Sequence, residues 1–418
     1  DDLKIRFSYG KLGNQSTSDV YTYLEEIYTG GTLNYTLDGT SKLQYAYPSD
    51  PKTSYLTWET IATWNIGLDM SFLDSRLNFT GDYFIRDTEG MLGKSIVLPS
   101  VFGAKEPKEN CADLRTKGWE LSLGWNDSFA LMGKRFNYTV LATLGDNLTE
   151  ITKYNNSEKK LTDYYEGMKL GEIWGYRVDG LFASDEEAAE YTSKINQDFV
   201  NARILSDKVE PYYRAGDLKF RDLDGDNIIS KGDDTAYDAG DREIIGNETP
   251  RYMYSFRLGA DWNGIDLGIF FQGVGKRDWY PNYLSTGFWG PYSRAFTSFI
   301  PENFMDQCWS EENPGGYFPR FRGYQTFKDS QLGVNNDRYL QDASYIRLKN
   351  LTVGYTLPVL KKVFTKLRVY FTGENLWYWS PMKKYTKYID PEAAGGNDNT
   401  GMAYNYSRNF SVGVDITF

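Results

Sequence analysis

The chain has no histidine. That absence removes Ser-His-Asp and Cys-His catalysis and all His-based metal sites together. No run of about 18 apolar residues occurs, so no helical membrane span is expected. Positive charge is short as well: 46 Lys and Arg stand against 57 Asp and Glu, a net charge of −11. Phosphate backbones are bound by basic stripes, so nucleic acid is excluded as a partner. There are two cysteines, Cys111 and Cys308, far apart and without metal-ligand spacing. They form either a disulfide or two free thiols.

What the chain has in excess is aromatic residues, 17% of 418 positions, together with 40 glycines. That profile favours strands and turns over helices. The last residues, Phe410 to Phe418, show the pattern plainly. Phe410, Val412, Val414, Ile416 and Phe418 share one parity and Ser411, Gly413, Asp415 and Thr417 the other, which gives a strand with one apolar and one polar face.

The same alternation recurs along the chain. Leu3, Ile5, Phe7 and Tyr9 make a first strand. Trp64 to Phe72 and Leu77 to Ile85 form a hairpin through Asp74-Ser75. Trp119 to Trp125 and Phe136 to Leu144 pair through a connection placed at Asp127 to Lys134. Tyr252 to Trp262 and Ile265 to Phe271 join through Asn263-Gly264, the strongest two-residue hairpin signal. Leu351 to Leu357 leads through Pro358 to Leu367 to Phe371. Ile346 and Leu348 are out of phase with Leu351, which predicts a bulge near Asn350. Ten strands result, and short connections alternate strictly with long ones. Short turns at one end and long loops at the other are the asymmetry of an outer-membrane β-barrel, with Phe418 on the periplasmic side. The longest connection, at about 148–249, contains a short helix at Asp185 to Tyr191.

Five stretches resemble the SusC/RagA family of TonB-dependent outer-membrane transporters: "LKIRFSYGKLGNQ" from Leu3, "TKGWELSLGW" from Thr116, "IWGYRVDGLF" from Ile173, "IIGNETPRYMYSF" from Ile244 and "YLQDASYIRLKNLTVGYTLP" from Tyr339. They span nearly the whole chain in family order. The resemblance implies an all-β fold, with residues 1–418 supplying about ten C-terminal strands of a roughly 22-stranded plugged barrel. A chain that begins inside a strand, with no signal peptide, is then expected to be part of something longer. The resemblance further implies the outer membrane of a Gram-negative bacterium, a SusD-like lipoprotein lid, and energy from TonB through the missing N-terminal part. The cargo it implies is an oligosaccharide or, less often, a peptide. A receptor barrel that binds without transporting is the alternative. A self-contained barrel enzyme is disfavoured, because the missing histidine leaves it no general base.

Two constellations stand out as candidate sites. Asp222, Asp224 and Asp226 occupy positions 1, 3 and 5 of a calcium loop spanning 222–233, with the Ile228 carbonyl at 7 and Asp233 at 12. Hard oxygen ligands at that spacing suit a structural Ca²⁺, with Mg²⁺ as the alternative. Asn227 replaces the usual glycine at position 6, and Asp233 is shorter than the usual Glu. The plain reading is an acidic, solvated loop. The second is the run Trp279, Tyr280, Tyr283, Phe288, Trp289 and Tyr292. Flat rings stack on sugars, which suits oligosaccharide capture; alternatively they pack the loop around Pro281, Pro291 and Pro301. Trp377, Tyr378 and Trp379 read as an interfacial girdle.

Overall fold

The computed structural model describes residues 2–15, 24–36, 39–53, 55–95, 100–200, 213–298, 300, 302–323, 325–327, 330–358, 365–395 and 404–418. Pro301 lies outside them. Ten strands form one sheet: β1 (Asp2–Asn14), β2 (Glu59–Phe72), β3 (Leu77–Lys94), β4 (Lys108–Leu131), β5 (Lys134–Lys153), β6 (Arg251–Trp262), β7 (Ile265–Lys276), β8 (Tyr345–Leu357), β9 (Lys366–Trp379) and β10 (Asn409–Thr417). They lie in chain order, each antiparallel to the next, with β1 and β10 at the two edges.

The register turns sequence parity into two chemically distinct faces. Leu3, Met70, Phe79, Leu123, Ala142, Phe256, Phe271, Leu348 and Trp377 are successive partners across nine strands, an unbroken apolar row. The adjacent row, Lys4, Asp69, Thr80, Ser122, Thr143, Ser255, Gln272, Arg347 and Tyr378, is polar apart from the ring of its last member. Strand side chains alternate faces, so the two rows belong to opposite sides of the sheet. The apolar side is uncovered: Leu3 is 68% exposed, Leu123 48% and Val412 76%. A soluble sheet buries that face; a lipid-facing one presents it.

Local chemistry explains the turns. Asn263 and Gly264 have φ of 52° and 86°, the left-handed pair that a tight hairpin needs. Met132 and Gly133 do the same at 50° and 75°. The connection expected at Asp127 to Lys134 is therefore only two residues long, because Ser128 to Leu131 stay paired with Lys134 to Asn137. Near Asn350, the partners of Phe270 and Phe271 are Asn350 and Leu348, so Lys349 is the extra residue. This bulge lets Leu348 and Leu351 point the same way although they are three apart in sequence.

The long connections rise on the other side of the strands. β5 continues to Lys153, so the longest one runs over 154–250 rather than starting at 148. It carries helix α1 (Asp185–Lys194), whose N-cap Ser184 accepts from the Glu187 N–H. Within 15–58, Ile27–Thr36 pairs with Lys42–Pro48 as a hairpin. The fully buried apolar residues lie mainly in the connections rather than in the sheet: Tyr176, Phe220, Trp289, Phe318 and Tyr339 belong to one core that fuses 154–250 with 277–344.

Candidate functional site

The acidic loop closes on itself as its spacing predicts. The Asp222 carboxylate accepts from the N–H of Gly225 at 2.7 Å and of Asn227 at 2.9 Å, Asp224 accepts from Asp226 at 3.1 Å, and Asp226 from Ile228 at 2.6 Å. Asn227 takes the left-handed φ of 65° that the turn requires. One carboxylate oxygen from each of Asp222, Asp224 and Asp226 lies within 4.8 Å of the others. Oxygens on either side of a Ca²⁺ bound at about 2.3–2.6 Å are spaced in that way. Asp233 is outside this group; its N–H donates to Asp238 at 3.3 Å. The chain between Ile228 and Asp233 turns aside, with Ile229 fully buried and its N–H on the Asn196 carbonyl at 2.7 Å.

A residue that the spacing does not reveal holds the loop from below. Asp241 is fully buried and accepts from the N–H of Leu223 and of Ser230, both at 2.7 Å. Burial pushes its carboxyl above the usual aspartate range, and Asp224 and Asp222 add to the shift.

The aromatic run divides. Trp279, Tyr280, Phe288, Trp289 and Tyr292 are buried and form the loop core. Their rings meet edge to face, Phe288 on Trp289 at 4.7 Å and Trp289 on Tyr339 at 5.3 Å, and Tyr292 stacks on Phe318 at 5.8 Å. Rings enclosed in this way have no face to offer a sugar, so the expected stacking surface is corrected for Trp279, Phe288, Trp289 and Tyr292, while Tyr280, at 8% exposure, keeps only a margin of its surface open. The physical reason is length: two long connections need an apolar core of their own. Tyr283 alone remains exposed, beside Phe327 at 5.3 Å. Trp377 and Trp379 are exposed, as an interfacial girdle requires, whereas Tyr378 turns to the opposite face.

The polar face is braced by ion pairs. Arg6 reaches Asp69 at 2.7 Å and Asp82 at 2.9 Å, and Arg368 reaches Asp266 at 2.6 Å and Asp415 at 3.0 Å. Gly67 and Gly354 leave room for them, since a Cβ at Gly67 would sit 2.6 Å from the Arg6 guanidinium and one at Gly354 2.6 Å from Arg368. Above them Arg347, almost fully buried, pairs with Asp390 and lies 3.2 Å from Glu392, while the Tyr378 ring covers its guanidinium at 4.7 Å. Cys111 and Cys308 are both free thiols, which decides the alternative left open by their number.

A family model described as TonB dependent receptor-like, beta-barrel matches residues 1–376. TonB-dependent receptor P26 of Formosa agariphila is 27% identical over all of this chain and 40% of its own length. TonB-dependent receptor SusC of Bacteroides thetaiotaomicron is 25% identical, over all of this chain and 38% of its own length. The chain thus spans about two fifths of the curated relatives it matches. Among solved structures, the RagAB peptide importer in its closed-closed state superposes with a TM-score of 0.70 at 22% identity, covering all of this chain and 41% of that one, a likeness of fold.

Proposed function

We infer the function from one premise: this chain belongs to the TonB-dependent receptor-like β-barrel family. In this reading the ten strands are part of the wall of an outer-membrane barrel through which the complete protein imports a nutrient, driven by TonB. The observation that carries it is the pair of neighbouring rows, one apolar across nine strands and one polar. Such a wall faces lipid on one side and a water-filled or plugged lumen on the other. The long connections form the extracellular mouth, where a SusD-like surface lipoprotein acts as lid. The cargo is an oligosaccharide, with a peptide as the competing class.

Deleting the locus tests this. Growth on one oligosaccharide class is expected to be lost. Loss on peptides alone would select the other cargo, and unchanged growth on every candidate would refute import.

In the same reading, Asp222, Asp224 and Asp226 hold a Ca²⁺, or a Mg²⁺, that stiffens the mouth. Asp233 is left out of the ligand set, so other oxygens complete the shell. Calorimetry of Ca²⁺ with the full transporter is expected to show binding that Asp222→Asn and Asp224→Asn each weaken at least tenfold. Equal binding by wild type and variants would remove the ion from this loop.

A further inference from the structure

Five of the six rings marked for sugar binding are core, yet Tyr283 opens onto a cleft, lined also by Tyr280, that the sequence does not reveal. It lies between 154–250 and 277–344, with a volume of about 460 Å³. That is within the roughly 300–1,000 Å³ of small-ligand sites. Tyr283 and Trp174 supply aromatic walls, and Glu172, Glu248, Asn282 and Asn335 supply polar groups. We propose that this cleft binds a short stretch of a neutral oligosaccharide; the proposal rests on the import reading and names the cargo class for it.

The walls are held before any ligand arrives. The Tyr283 carbonyl accepts from Ser293 Oγ and from Thr326 Oγ1, both at 2.8 Å. The Trp174 carbonyl accepts from Asn335 Nδ2 at 3.1 Å, and Trp174 is paired with Ile244 in a short two-stranded sheet. Glu172 is fixed by the Tyr165 hydroxyl at 2.7 Å and the Lys169 N–H at 3.0 Å. The backbone that carries the rings is thus fixed, and Glu172, whose carboxylate is already held, loses little side-chain entropy on binding.

The same groups select the ligand. Among the lining residues the one cation is Arg242, and its guanidinium is already committed to Asp234 at 2.7 Å and to the carbonyls of Lys231 at 3.0 Å and Ala239 at 3.2 Å. Glu172 and Glu248 therefore disfavour an anionic ligand, acidic sugars and peptide carboxylates included, although Arg277, whose Nε donates to the Glu248 carbonyl at 3.2 Å, lies near enough to offset part of the charge of Glu248. Rings with carboxylate acceptors and amide donors match instead the apolar faces and hydroxyl rims of neutral pyranoses.

The test uses the full-length transporter in detergent. It is titrated with neutral gluco-, manno- and galacto-oligosaccharides, and with oligogalacturonides and mixed decapeptides as counter-probes. One neutral oligosaccharide class is expected to bind and to quench tryptophan fluorescence. Tyr283→Ala and Glu248→Gln are each expected to weaken it on the order of tenfold, while Tyr283→Phe, which keeps the ring, stays near wild type. Heat-dependent gel mobility of each variant verifies folding. If cells import an oligosaccharide that both variants bind as wild type does, the cleft assignment falls and import stands. If only peptides or oligogalacturonides bind, the assignment falls and the cargo class changes. If no probe is bound or imported, the import reading fails and takes the cleft with it.

Discussion

Asp217 is fully buried, and its carboxylate accepts from Arg322, from Gln331 Nε2 at 3.0 Å and from the Arg214 N–H at 2.9 Å. It therefore joins the two longest connections at one point. Asp217→Ala strands the buried Gln331 amide and releases Arg322, at a cost of about 2–3 kcal/mol. Hydrogen exchange around Leu218 and Phe318 is expected to accelerate accordingly. Burial holds this carboxyl above the usual aspartate range, outweighing the pull of Arg322. A folded group that binds its proton more tightly than the unfolded chain contributes most in acid, and that contribution fades as pH rises through the raised value. Protection of the two segments, corrected for intrinsic exchange, is thus expected to rise as pH falls from neutral into the carboxylate range. Asp217→Asn should flatten the trend. At this scale the sequence revealed what is local. Asp222, Asp224 and Asp226 are legible because their spacing alone brings them together. Asp217 meets Arg322 across 105 positions and Asp241 meets Leu223 across 18, and no periodicity carries such information.

The last long connection, 380–408, is attached to β8 by a cluster of charge. Arg347 pairs with Asp390 and Glu392, and Lys349 Nζ reaches both Glu392 oxygens at 2.8 Å. Removing one partner from a buried pair costs more than the pair is worth, because the remaining charge stays desolvated. Arg347→Met is therefore expected to cost about 3–5 kcal/mol locally and to expose 380–408 to protease, while the sheet retains its folded mobility on gels. Arg347→Met with Asp390→Asn should recover part of that protection; equal cleavage of wild type and single variant would show that the cluster does not hold the loop. Elements were legible where lipid imposes alternation and less so beyond it. About 9–11 residues cross a bilayer, whereas β4 and β5 run for 24 and 20. Clean apolar parity covers only Trp119 to Trp125 and Phe136 to Leu144 of them, so it lapses before the backbone ladder does. The aromatic run stayed open between sugar stacking and loop packing for a related reason. Composition marks rings as suited to stacking, but only the tertiary fold shows which of them are enclosed.

For the whole molecule, the decisive property is that an uncovered face is apolar. Leu3, Ile5, Phe7, Phe410, Val412 and Val414 are among its most exposed members and lie on the two edge strands. In water such a surface would drive aggregation, and unpaired edges would add to it. In lipid, with further strands completing the wall, neither cost remains. The reading therefore makes a demand on neighbouring residues of a single strand. Val412 pairs with Phe371 on the apolar side, and Ser411 pairs with Thr372 on the polar side. Arginine at the bilayer midplane on the lipid face costs about 2–4 kcal/mol, whereas lumen positions tolerate it. In the full-length transporter, Val412→Arg is expected to reduce the heat-modifiable folded form in outer membranes severalfold or more, and Ser411→Arg to leave it near wild type. Two adjacent positions, both paired to β9, would then differ chiefly in the solvent that an arginine there meets. Equal losses at both would mean that the two faces do not meet different solvents, and the assignment of the apolar row to lipid would fall; a larger loss for Ser411→Arg would reverse it.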